Sequence, residues 1–170
     1  MKMHETHLLS EALQAVLLEE MAAYERLLAL QQAEKRLLVA RQLEAFLSNL
    51  HAKEQALHTI AQVETQRQAM VNQLAPLLNL HDTSVTLQQL SARLPEPYAG
   101  TMRQCRQRLQ QLLREVQRSS GDNARLVRDA LALVEEALAF FASLLPSTPT
   151  YEPSGTFSPA MRGRLLSGTV

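Results

Sequence analysis

The sequence predicts an all-α protein, built as an elongated antiparallel bundle of three long helices with one short connector helix and an irregular C-terminal tail. Three observations predict it. Residues 1–75 contain neither glycine nor proline, whereas Pro146, Pro149, Pro153, Pro159, Gly155, Gly163 and Gly168 crowd the last 25 residues. Apolar residues recur in steps of three and four through each long stretch, the mark of helices with one buried face. Apolar residues make up 46% and charged residues 20% of the 170, a globular composition of a size that suits one domain. The expected division is a helical bundle domain over 1–145 and a flexible or extended tail over 146–170.

The first helix is expected over residues 4–38. Leu9, Leu13, Leu17, Met21, Tyr24 and Leu28 set its stripe, widened by Leu8, Ala12, Val16 and Leu27. Glu5, Glu11, Glu19 and Glu20 load its first half, and Lys35 and Arg36 close it, as the helix dipole favours. The reversal is expected near Val39–Arg41, although no glycine or proline marks it. The second helix, over 42–79, carries Leu43, Phe46, Leu50, Leu57, Ile60, Val63, Met70, Leu74 and Leu77. Lys53 and Arg67 interrupt that stripe and are expected at its margin with their stems along it. Pro76 should kink or end the last turn. The stretch 79–97 reads as a connector with a short helix, capped by Asp82, Thr83 or Ser84, held down by Leu87, Leu90 and Leu94, and ended by Pro95 and Pro97.

The third long helix, over 98–145, has the clearest repeat. Met102, Cys105, Leu109, Leu112, Val116, Ser119, Asn123, Leu126, Ala130, Leu133, Ala137, Phe141 and Leu144 follow gaps of three and four, with two adjacent gaps of four, so a heptad seam is expected. The seam is polar at its centre, around Gly121, which costs about 1 kcal/mol inside a helix. One continuous helix is the expectation. From Asn123 to Leu145 the apolar residues nearly surround the helix, more than the roughly three positions in seven that one bundle seam uses. The excess points to burial on several sides or to a surface for a partner helix.

Zero net charge and few aromatic residues give no basis for nucleic-acid binding. Arg103, Arg106, Arg108, Arg114 and Arg118 read as a solvated helix face. Single Cys105 excludes an internal disulfide framework and falls at an apolar helix position, as a buried thiol would. No run is long enough to span a membrane and the N-terminus lacks a secretory apolar core, so a reduced, cytoplasmic setting is the expectation. His4 with His7 and His51 with His58 lack the convergent ligands a metal needs. Glu19–Glu20 and Glu135–Glu136 are adjacent pairs that point about 100° apart, and no phosphate loop or nucleophile elbow occurs. These patterns give no basis for catalysis, a metal or a cofactor.

The chain resembles the FlgN family of flagellar type III export chaperones. Residues 34–67 resemble its middle, with a Leu-x-x-Leu rhythm, the pair Lys53–Glu54 and the Glu64-x-x-Arg67 spacing. "LLREVQRSSGDNARLV" resembles its third helix, where Asn123 matches the second of two asparagines and a serine replaces the first. Tyr151, Gly155, Arg162 and Gly163 resemble its ending. The resemblance implies a cytoplasmic chaperone, not an enzyme, without cofactor. It would bind the helical C-termini of the hook–filament junction proteins (FlgK and FlgL in that family) and bring them to the export gate. Carried onto this sequence, the client-binding residues are Asn123, Leu126, Val127, Ala130, Val134, Leu138, Phe141 and Tyr151. Apart from the resemblance, a tail of this composition can lie over that face when it is empty and be displaced by client. No nucleic acid or stable membrane insertion is implied. The competing reading is a self-associating coiled-coil scaffold, a homodimer through the third long helix with no secreted client.

Overall fold

The computed structural model describes residues 2–81 and 85–144. Among these, four helices follow one another: α1 (Lys2–Val39), α2 (Leu43–Leu77), α3 (Leu87–Arg93) and α4 (Tyr98–Leu144). No strand occurs among the described residues. The expected boundary between bundle and tail lies at the edge of the described residues, and the tail lies outside them. By compactness the chain divides into two units, Met1–Val127 and Arg128–Val170.

In the first unit α1 and α2 pack against each other along their lengths. Asn49 Nδ2 donates to the Leu30 carbonyl at 3.1 Å, Lys53 reaches Glu34 at 2.7 Å and Arg67 reaches Glu20 at 3.1 Å. From the Lys53–Glu34 pair to the Arg67–Glu20 pair the position on α2 rises by 14 as that on α1 falls by 14, so the two run antiparallel. On α4, Tyr98 donates to Glu11, Arg108 to Glu25 and Asn123 to the Gln31 carbonyl. Those positions rise together, so this part of α4 runs in the direction of α1.

Both reversals use the same backbone device. Gln42 N–H bonds the Leu37 carbonyl and Arg41 N–H the Leu38 carbonyl, with Arg41 at φ 56°. Leu80 N–H bonds the Ala75 carbonyl and Asn79 N–H the Pro76 carbonyl, with Asn79 at φ 55°. Each is a Schellman ending, in which a left-handed residue lets the last carbonyls find donors. The break at 39–41 therefore lies where expected, and its weak signal has a reason. A side chain occupies the position glycine usually fills. That left-handed conformation costs a side chain roughly 1–2 kcal/mol, and glycine's extra freedom in the unfolded chain gives part of it back. Arg41→Gly is expected to stabilise the protein by about 0.5–1 kcal/mol, read as a rise in the urea midpoint at unchanged slope.

The cap of α3 corrects the sequence reading. Asp82, Thr83 and Ser84 lie outside the described residues, and the N-cap is Thr86. Its hydroxyl accepts from Gln89 N–H, and the Gln89 side chain accepts from the Thr86 N–H at 2.8 Å, a complete capping box. Leu90 and Leu94 are buried and Leu87 packs beside them, as the leucine spacing predicts.

The main core joins all four helices: Leu13 and Leu17 of α1, Val71 and Leu74 of α2, Leu90 of α3, and Met102, Cys105 and Leu109 of α4. A second cluster holds Ala23, Leu27 and Ile60, with Tyr24 and Val116 against it. The faces of α1 and α2 differ from the expected stripes. On α1 the inward line is Ser10, Leu13, Leu17, Glu20, Tyr24, Leu27, Gln31 and Glu34, in regular steps of three and four. Leu8 is exposed. On α2 it is Asn49, Lys53, Ala56, Ile60, Val63, Arg67, Met70 and Leu74, and Leu43 and Leu57 face outward. Both lines keep a period of 3.5, so the inner face stays toward its neighbours over many turns. A line drawn through the leucines alone drifts off that face.

Helix α4 is continuous through Gly121. A Cβ there would meet nothing within 4 Å, so packing does not require the glycine. The seam Met102, Cys105, Leu109, Leu112 and Asn123 is buried as the heptad predicts. In the second unit the described residues are the last part of α4, Arg128–Leu144, and all of them are exposed.

Candidate functional site

The chemistry within the first unit is structural. Two ion pairs occupy the α1–α2 seam. Lys53 and Arg67, expected at its margin, are 22% and 20% exposed, and the carboxylates they meet, Glu34 and Glu20, are each only 6% exposed. Asn123 is buried. Its Nδ2 donates to the Gln31 carbonyl at 2.7 Å and to the same Glu34 oxygen, Oε2, at 2.8 Å that Lys53 engages. A buried carboxylate thus takes two donors, one from α2 and one from α4. Burial raises the Glu20 carboxyl above its usual range, against the opposing pull of Arg67. Burial also raises the Cys105 thiol, which is the reverse of what a nucleophile needs.

Several other titratable groups make contacts nearer the surface. Arg103 pairs with Glu96, and Arg108 with Glu25 at 2.7 Å. His7 packs edge-on against Tyr98 with ring centres 4.7 Å apart. His51 and His58 each pair with a glutamine one turn on. Among the described residues no three His, Cys, Asp or Glu converge as metal ligands, and no helix is long and apolar enough to cross a membrane.

The exposed end of α4 is the candidate site. Of the residues expected to bind client, Val127, Ala130, Val134, Leu138 and Phe141 are exposed and Leu126 is half-buried, all on one helix. Val134 is 53%, Leu138 63% and Phe141 62% exposed, so no described residue of this chain seals them. Asn123 differs in kind: its amide is spent inside the first unit. Tyr151 lies outside the described residues. The structure adds Leu131, Leu133, Phe140 and Leu144, exposed by 56–65%. The Phe140 and Phe141 rings meet edge to face at 5.9 Å. All four belong to the apolar run from Asn123 to Leu145 that the sequence shows nearly surrounding the helix. Leu133 and Leu144 lie on the heptad seam read from the sequence, and Leu131 and Phe140 fall beside it.

Eight large apolar side chains between Val127 and Leu144 are at least 43% exposed. Scattered apolar residues on a surface need no explanation, but a contiguous group of this kind marks a place where another molecule sits. The arrangement can cover an apolar helix.

The FlgN protein family model matches residues 1–159. Searches among curated proteins and among solved structures gave no match. The family match takes in all four helices, the buried polar seam and the exposed end of α4, and on it the chain belongs to the FlgN family, a family of flagellar export chaperones.

Proposed function

We propose that this chain is a cytoplasmic type III export chaperone that binds the helical C-terminal segments of hook–filament junction proteins, keeps them soluble and delivers them to the export gate. One observation carries the reading: the apolar end of α4, from Val127 to Leu144, has no cover among the described residues. A subunit that assembles outside the cell carries an amphipathic segment with no partner inside it. Left bare, that segment aggregates. A helix with a free apolar surface covers it by burial alone, with no nucleotide and no covalent step. The binding residues are Leu126, Val127, Ala130, Val134, Leu138 and Phe141, with Tyr151 beyond them in the chain. Asn123 bonds Gln31 and Glu34 within the first unit.

Titration of the full chain with a C-terminal segment of a FlgK-type protein, followed by sedimentation and circular dichroism, tests it. The expected result is a 1:1 complex with a gain of helix and micromolar or tighter affinity. A chain that ignores the segment and instead dimerises with concentration would show a self-associating scaffold and sink the reading.

A further inference from the structure

The exposed end of α4 carries two apolar seams, side by side. Leu126, Ala130, Leu133, Ala137, Phe140 and Leu144 repeat in steps of 4, 3, 4, 3 and 4. Val127, Leu131, Val134, Leu138 and Phe141 repeat in steps of 4, 3, 4 and 3. One residue separates the two lines, which is about 100° around a helix. The first line keeps the spacing of the buried seam Met102, Cys105, Leu109, Leu112, Val116, Ser119 and Asn123. The second has no buried antecedent: one and two heptads before Val127 and Leu131 stand Ser120, Leu113, Ala124 and Gln117, all exposed.

A helix that faces one partner helix uses two positions in seven. Here four in seven are apolar and open, as suits a helix set against two neighbours. A single docked helix would leave one whole seam wet, including either Leu133 and Phe140 or Leu138 and Phe141.

Charge indicates what lies on the first seam. Asp122, Asp129 and Glu136 stand seven apart beside it, all exposed. Two copies of this chain paired antiparallel along that seam would set these acids against the same acids of the second copy, which repel. A partner with basic residues on its flank meets them favourably.

We propose that the end of α4 takes a pair of amphipathic helices from one client molecule, one helix per seam, with the helix on the first seam presenting lysine or arginine toward Asp129 and Glu136. This rests on the chaperone reading above, and the test separates the two. In a Cys105→Ala background, Leu133→Cys reports the first seam and Leu131→Cys the second. Maleimide labelling of each is timed with and without a saturating full-length FlgK-type protein, and sedimentation gives the stoichiometry. The expected result is one client per chain and at least tenfold slower labelling at both positions. A 1:1 complex that protects only one position overturns the paired docking and leaves the chaperone reading intact. Two clients per chain, or protection of both positions without client that vanishes on removing residues 146–170, also overturns it, the latter by making the chain's own tail the occupant. No complex at all removes the chaperone reading itself. Asp129→Lys with Glu136→Lys is expected to weaken the complex at least tenfold at low salt, and unchanged affinity would overturn the basic flank.

Discussion

Leu138→Asp is expected to weaken client binding at least 100-fold and to leave the folding of the free chain nearly unchanged. Leu138 is 63% exposed and belongs to neither core cluster. Its replacement in the free chain therefore removes little buried area and costs only the lower helix propensity of aspartate, about 0.5 kcal/mol. In the complex the same position goes dry. Burying a leucine contributes about 1.5–3 kcal/mol, and a carboxylate left in its place is desolvated without a partner. The sum exceeds the roughly 2.7 kcal/mol that a factor of 100 represents. Isothermal titration with the C-terminal segment of a FlgK-type protein reads the affinity, and urea unfolding reads the fold. Leu57→Asp is the control, because Leu57 is comparably exposed, at 50%, but lies on α2 away from the strip. It should bind like the unaltered chain. If Leu57→Asp and Leu138→Asp weaken binding alike, the loss comes from the added charge rather than from the strip, and the docking surface has been misplaced.

Lys53→Met is expected to cost about 3 kcal/mol of folding stability. The reason lies with its partner. Glu34 is 6% exposed and would keep only Asn123 as a donor. Removing one member of a buried pair is expensive because the other charge stays buried, whereas replacing the whole set by apolar residues is often neutral or better. The triple change Glu34→Leu, Lys53→Met, Asn123→Leu should therefore recover most of the loss. Asn123→Leu alone should cost about 1–3 kcal/mol, since it strips Glu34 of a donor in the same way. Urea denaturation of the three variants decides. Equal losses for the single and triple variants would mean that the pair itself, rather than the orphaned charge, holds the helices together. This polar group sits where α1, α2 and α4 all meet, so it also ties the register of the three to one another.

The α1 reversal, the three long helices and the α4 seam as far as Asn123 were all legible in the sequence. Helix existence is local: it depends on residues three and four apart, on missing glycine and proline, and on which residues can end a turn. The α4 seam was legible because its 3.5-residue period is carried mostly by apolar residues, from Met102 to Leu112. On α1 and α2 the same period runs through Glu20, Gln31, Glu34, Lys53 and Arg67. Charged side chains there read as interruptions until the helix opposite supplies their partners.

What the sequence determined by itself is where the chain is helical and where it turns, because those choices are made within a few residues. What only the tertiary structure decided is which apolar residues are hidden. Leu109 and Leu138 look alike in the chain, yet one is buried beneath α1 and α2 and the other stands in solvent. Burial is a property of neighbours brought from far along the sequence, and no local spacing records whether they arrive.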